Sequence, residues 1–232
     1  GSVSSPFGLG SDSLPVKINI KNNDMYLADS MQFSLEIATR LNEKGAYYIM
    51  PSFRGENMDA RHLNEFVHSE VEIKGNLDDV MSLAERYIKY LIRGLKDTCS
   101  KEIIEVCGTT EHLDKVLNKP FYKIRFEDAM RELDSVSNAF KELDKDLYAI
   151  TSVGEHALID KYGDFTWITN MPYKSVPFYQ AKETGTDFSM TGDLLAGIGE
   201  TLGCGQRVLS SQDAIKSLDE HNVDKSGYQW YI

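Results

Sequence analysis

PSFRGENMDARHLNEFVHSEVEI, residues 51–73, is the stretch whose reading decides the fold. An apolar run from Tyr47 to Phe53 leads into it and ends at Arg54. A polar loop carrying Glu56, Arg61 and His62 follows, and a second extended run spans Asn64 to Ile73. From Phe66 the alternation is strict, with Phe66, His68, Glu70 and Glu72 on one side and Val67, Ser69, Val71 and Ile73 on the other. A period of two puts those sets on opposite faces of a strand. The expectation is a hairpin whose Val/Ile face is buried. The other face carries an aromatic ring, an imidazole and two carboxylates, a poor core face but a suitable site floor. The loop adds two guanidiniums, whose planar fork suits bidentate phosphate contacts. One hairpin thus makes a chemical case for a nucleoside triphosphate with its metal.

Composition sets the bounds. The 232 residues are 41% hydrophobic, enough for one domain, residues 1–232, with a sizeable core. With 25 basic against 36 acidic residues the net charge is −11. Such a chain is an unpromising partner for nucleic acid, whose affinity rests on Lys and Arg neutralising phosphates. Cys99, Cys107 and Cys204 show neither a disulfide framework nor metal-ligand spacing, and read as reduced thiols of a cytoplasmic protein. No run of about 18 apolar residues and no signal-peptide pattern is found, so no membrane association is expected. Gly1-Ser2 reads as a remnant of expression.

Outward from the hairpin, residues 3–15 are rich in Ser, Gly and Pro and read as loop. Val16–Ile20 and Met25–Leu27 flank a turn expected at Asn22-Asn23-Asp24. Ser30 is a candidate N-cap for a helix over Met31–Leu41, with Gly45 after it. Asn76, followed by Asp78 and Asp79, should cap a long amphipathic helix. Its stripe of Leu77, Val80, Met81, Ala84, Tyr87, Ile88, Leu91 and Leu95 is expected to lie on a sheet as plain core. Residues 97–120 look peripheral, and residues 135–150 too charged to be central. Strands are expected at 121–125, 165–170 and 177–181, and two more within 187–209. Helices are expected at 127–133, 153–162 and 210–218. Runs of strands with few βαβ alternations argue an α+β fold, a mainly antiparallel sheet flanked by helices.

FRGEN…RHLNEF…E.E resembles the second signature motif of class II aminoacyl-tRNA synthetases, in the aspartyl/asparaginyl branch, where it runs fRaEn…RHl.EF…E.E. The resemblance implies ATP-dependent activation of an amino acid as an aminoacyl-adenylate. It implies that Arg54 is the catalytic arginine at the α-phosphate and that Glu56 reaches the adenine amino group. Arg61 and His62 would flank the outer phosphates, and Phe66 would stack the base. TGDLLAGIGETLGCGQR, residues 191–207, is similar to the branch's D.L.PGIGE..GGSQR. This implies Asp193 and Glu200 as ligands of Mg²⁺, a hard ion that needs only one or two carboxylates plus phosphate oxygens. It also implies Arg207 as the holder of the amino acid's carboxylate. DSMQFSLE, residues 29–36, resembles SGQLxxE, which assigns Gln32 to the α-amine and Glu36 to the amino-acid site. Leu35 stands where aspartyl enzymes keep a lysine, which disfavours a free aspartate side chain, since a buried unpaired carboxylate is costly. Glu70 joins the amino-acid site, and Glu155 and His156, in a GEHER-like segment, are expected beside it.

The match runs over roughly residues 25–207. The branch's N-terminal OB-fold and first motif have no counterpart, Pro6 apart, and its third motif, GxGxxR, would fall beyond Ile232. Three readings result. In the first, the chain activates asparagine or aspartate and passes the acyl group to ammonia or another small amine, like the tRNA-independent asparagine synthetases of this branch. In the second, it is the catalytic core of an asparaginyl-tRNA synthetase, homodimeric at full length, with tRNA as acceptor. In the third, it is an ATP-binding paralogue without catalysis. In both enzyme readings a triphosphate lies between Arg54 and the acid pair at 193 and 200.

Overall fold

A computed structural model describes residues 3–4, 14–58 and 62–232, so Pro6 and Arg61 lie outside the described residues. In chain order the strands are β1 (Val3–Ser4), β2 (Lys17–Ile20), β3 (Asn23–Leu27), β4 (Ala46–Phe53), β5 (Glu65–Glu72), β6 (Tyr122–Arg125), β7 (Phe140–Asp144), β8 (Leu147–Ile150), β9 (Thr166–Thr169), β10 (Thr191–Ala196) and β11 (Gly199–Gly205). The helices are α1 (Gln32–Thr39), α2 (Leu77–Cys107), α3 (Glu111–Asn118), α4 (Phe126–Leu133), α5 (Ser152–Tyr162) and α6 (Ser211–Glu220). The fold is α+β with mainly antiparallel pairing, as expected. The chain divides into two compact units. One comprises Gly1–Gly75, Val176–Tyr179 and Val208–Ile232, the other Asn76–Ser175 and Gln180–Arg207.

In the first unit β1, β3 and β2 form a small antiparallel sheet, and β4 pairs with β5 as the predicted hairpin, Tyr48 opposite Glu70 and Ser52 opposite Phe66. The β2–β3 turn falls on Lys21-Asn22, both at positive φ, not on residues 22–24. That is the mirror-image two-residue turn, whose twist matches its strands, and Asn tolerates the left-handed region well. Phe33 of α1 is buried among Phe178, Tyr179, Leu218 and Tyr228. Residues 177–181 were expected as a strand. Instead Phe178 and Tyr179 enter this aromatic cluster, and the extended pairing shrinks to isolated bonds, the Tyr179 carbonyl accepting the Val208 N–H at 3.0 Å.

The hairpin also corrects the expected direction of burial. Tyr47, Ile49, Val67 and Val71 are 75%, 63%, 66% and 41% exposed, while Phe66, His68, Glu70 and Glu72 are half-buried. The period of two is as expected, but α1 and the residues before it lie on the polar face, and their hydrogen bonds offset the desolvation of its charged groups.

In the second unit the sheet order is β11–β10–β9–β6, antiparallel except for β6 with β9. Trp167 and Leu194 are buried with Leu77 and Met81 of α2. Their chain neighbours Ile168 and Leu195 are buried with Phe126 and Leu133 of α4 and Leu158 of α5. Covering on both faces is why these strands read as continuous apolar runs rather than as alternations. Asn76 and Asp79 form a capping box at the start of α2, as predicted, and Gly108 ends the helix in the left-handed region. At 1.5 Å per residue, the part of α2 that precedes a kink at Cys99 is about 33 Å long, whereas four strands cover about 20 Å. Leu91 and Leu95 of the stripe are accordingly exposed, contrary to the expectation of plain core. Within residues 135–150, expected to be too charged to be central, Phe140–Asp144 and Leu147–Ile150 form the β7–β8 hairpin, and Phe140 and Ile150 pack against the Leu158 cluster. Among the described residues no helix is long and apolar enough to cross a membrane.

Candidate functional site

In the first unit the site is assembled on the polar face of β4–β5. Arg54 follows β4 directly, and its backbone is tied down by Asn64, whose carbonyl accepts the Arg54 N–H at 3.0 Å. The Asn64 side-chain nitrogen donates to the carbonyls of Arg54 (2.8 Å) and Glu56 (2.6 Å), drawing together the two sides of the loop. The guanidinium is fixed twice. Nε donates to Oδ1 of buried Asp29 at 2.9 Å, and Cζ stands 5.3 Å from the Phe66 ring centroid. Both Nη groups lie outside the bond to Asp29. Glu56 accepts the Leu14 N–H on Oε1 at 2.8 Å, while Oε2 is buried with no hydrogen-bond partner among the described residues. A buried acceptor without a donor calls for an explanation, and a bound ligand is one.

Further along the floor, Phe66 meets His68 edge-on, with centroids 4.7 Å apart. His68 Nδ1 lies 2.8 Å from Ser52 Oγ and 3.0 Å from Glu70 Oε1. Ser30 Oγ donates to Glu70 Oε2 at 2.7 Å and accepts the N–H of Gln32 at 3.1 Å. Ser30 therefore serves the first turn of α1, as the sequence suggested, although the residue in the capping position is Met31. The Tyr48 hydroxyl accepts the Met31 N–H at 3.0 Å. Burial, and then the bond to Glu70, hold that phenol protonated well above its ordinary value. On α1, Leu35 is buried and Glu36 Oε2 accepts the Tyr231 hydroxyl at 2.9 Å.

In the second unit Asp193 of β10 is half-buried opposite Gly203 of β11. Burial first, then the carboxylates of Glu200 and Glu155, push its carboxyl well above the usual range. A Cβ on Gly203 would sit 3.3 Å from Glu200 Oε1 and 3.5 Å from Asp193 Oδ1, so glycine there leaves room between the two acids. The Cys204 thiol is pushed up to about 12, mainly by burial and then by Asp193. Asp193 and Glu200, with Glu155 near, form an acid cluster whose mutual repulsion a cation would relieve. Among the described residues no three His, Cys, Asp or Glu side chains form a metal cage. An all-oxygen pair of carboxylates still fits Mg²⁺, which keeps waters and substrate oxygens in its remaining positions. Arg207 bridges in register with Gln180, whose amide, turned to satisfy its neighbours, accepts from Arg207 Nη1 at 3.3 Å.

The sequence-predicted residues thus fall into two groups. Arg54, Glu56, Phe66, Glu70, Gln32 and Glu36 belong to the first unit, and Asp193, Glu200, Glu155 and Arg207 to the second. His62 is exposed in the loop, and Arg61 lies outside the described residues. His156 is exposed on α5, with Nδ1 2.6 Å from the Ser152 carbonyl, and does not share the half-buried setting of Glu155. Sequence reasoning placed His68 on the site floor but passed over Asp29, Tyr48 and Ser52. Tyr48 and Ser52 were legible from parity, since both sit on β4 opposite residues of the polar set. Asp29 carried no signal, because its partner is 25 positions away.

The family described as tRNA synthetases class II (D, K and N) matches residues 3–232. The asparagine–tRNA ligase of Thermoplasma acidophilum is 30% identical over 93% of this chain and 50% of its own length. The probable cytoplasmic asparagine–tRNA ligase of Encephalitozoon cuniculi is 31% identical over 93% and 49%. The chain therefore spans about half the length of the curated relatives it matches. Among solved structures, asparaginyl-tRNA synthetase from Pyrococcus horikoshii complexed with asparaginyl-adenylate superimposes with a TM-score of 0.88 at 24% identity, over 98% of this chain and 52% of that one. The Entamoeba histolytica enzyme in complex with the same adenylate gives 0.79 at 22%, over 94% and 50%. At such identities the structural likeness is one of fold. With the family matched along almost the whole chain and the hairpin built as its second motif requires, this protein belongs to the class II tRNA synthetases of the D, K and N group.

Proposed function

We propose that the chain carries out ATP-dependent activation of asparagine, forming asparaginyl-adenylate and releasing pyrophosphate. The observation that carries this reading is Arg54, anchored through Nε by buried Asp29 and held against Phe66. Fixed in this way, its Nη groups act as preorganised donors for the charge that grows on the α-phosphate, at no cost in reorganisation during reaction. Glu56 Oε2, buried without a partner among the described residues, suits an exocyclic amino group of the base, and Phe66 offers the base an aromatic surface. Mg²⁺ brought with ATP would be held by Asp193 and Glu200 and would neutralise phosphate charge. Arg207 would bind the amino acid's carboxylate and Gln32 its α-amine.

Asparagine is favoured over aspartate by charge. Glu70 sits on the floor and Glu36 on α1, and the position a lysine would fill holds buried Leu35. A side-chain amide donates to carboxylates, whereas a second carboxylate would be repelled by them. The relatives at 30–31% identity named as asparagine–tRNA ligases favour tRNA as the acyl acceptor. Transfer to ammonia is the second reading, supported by the net charge of −11, which gives tRNA phosphates little to bind. Exchange of labelled pyrophosphate into ATP, run with asparagine and aspartate separately, tests activation. Addition of ammonia or tRNA then identifies the acceptor. Exchange with neither amino acid refutes the proposal.

A further inference from the structure

The four residues that precede α1 are laced to the hairpin one after another. The Ala28 carbonyl accepts the Phe53 N–H at 2.9 Å. Asp29 accepts from Arg54 Nε at 2.9 Å, Ser30 Oγ donates to Glu70 at 2.7 Å, and the Met31 N–H donates to the Tyr48 hydroxyl at 3.0 Å. These bonds reach the end of β4, the residue after it, β5, and the middle of β4. Gln32 follows immediately and is bonded through its N–H to Ser30.

Each end of this ladder has a distinct physical task. A half-exposed arginine samples many rotamers, and a buried carboxylate on Nε removes that freedom while leaving the two Nη groups to a ligand. At the other end, the first N–H groups of a helix lack partners within the helix. One that is bonded to Tyr48 fixes how the first turn of α1 stands over the floor.

We infer that Ala28–Met31 is a positioning strut, in which Asp29 orients Arg54 for the triphosphate and Tyr48 sets the first turn of α1, and with it Gln32, for the amino acid. The inference rests on the functional reading above and deepens it. Asp29 and Tyr48 are positioning residues rather than catalytic ones, since each acts through a neighbour. The two ends should fail separately.

The test uses the 232-residue chain and its D29N and Y48F variants, with exchange kinetics measured as ATP and asparagine are varied in turn. D29N, which keeps an acceptor but removes the charge, should lower kcat or raise KM for ATP about tenfold or more with KM for asparagine unchanged, since small misplacements of a reacting group cost factors of that order. Y48F should raise KM for asparagine several-fold with KM for ATP unchanged. The rise in melting temperature produced by asparagine alone should shrink in Y48F and persist in D29N. Should D29N fail to fold, D29E serves at the ATP end and S30A, which cuts only the bonds of Ser30, at the amino-acid end. Variants that change both constants alike, or neither, overturn the strut while the wild-type activity stands. A wild-type chain with no exchange and no ligand-induced shift removes the functional reading, and the strut with it.

Discussion

Gly154→Ala should destabilise this protein, although helix propensity alone says the opposite. Gly154 lies in the first turn of α5, one residue before Glu155, with ordinary helical φ. Replacing a helical glycine by alanine gains up to about 1 kcal/mol from backbone entropy. Against this, a Cβ there would lie 2.6 Å from the Ala139 carbonyl oxygen, 2.7 Å from Ile150 Cγ2 and 3.2 Å from Leu133 Cδ1. The carbonyl is backbone and cannot retreat freely, because it accepts the N–H of Thr151, the N-cap of α5, at 2.8 Å. Leu133 is a fully packed core residue. Overpacking of this kind costs about 1–3 kcal/mol, and three contacts below van der Waals distance place it at the upper end. The net expectation is a loss of about 1–2 kcal/mol, which for a chain of this size lowers Tm by about 2–8 °C. Urea denaturation and calorimetry of the two proteins decide it. A Tm equal to or above that of the parent would show that α5 can shift off the β7–β8 hairpin at no cost, and would refute the packing argument.

Arg54→Ala should lower exchange by about 10²–10³-fold, as loss of one preorganised charge does, and should also lower Tm, because it leaves the buried Asp29 carboxylate unpaired. Arg54→Lys should recover little of that, because an ammonium cannot present the same fork; equal rates in the lysine variant would count against a bidentate role. Arg125 donates to both oxygens of Glu183, at 3.0 and 2.8 Å, and this holds the Glu183 carboxyl below its ordinary 4.5. A depressed carboxylate stabilises the fold above its unfolded value, and the contribution is lost as pH falls through the lower folded value. Glu183→Gln should therefore cost about 1 kcal/mol at pH 7, a modest figure because the pair is partly solvated, and the difference from wild type should vanish at acid pH in urea titrations. Mg²⁺ should raise the Tm of the wild-type chain in the presence of ATP, and Asp193→Asn should abolish the rise; an unchanged rise would remove Asp193 from the metal site.

The element types were legible because each has a local cause. Asn76 and Asp79 cap α2 from within four residues, and the alternation over 66–73 makes a strand whatever lies around it. The motif residues Arg54, Glu56 and Phe66 could be named from one stretch, since the chain itself keeps them within one hairpin. Tertiary structure decided what periodicity cannot carry. A period of two states that a strand has two faces, not which one is covered, and here the segment Ala28–Met31 covers the polar face and leaves Val67 and Val71 exposed. The apolar stripe of α2 likewise announced a helix but not where the sheet beneath it ends. Asp29 gained its meaning only when folding brought its carboxylate to Arg54, because a hydrogen bond depends on distance in space and leaves no trace in the order of residues.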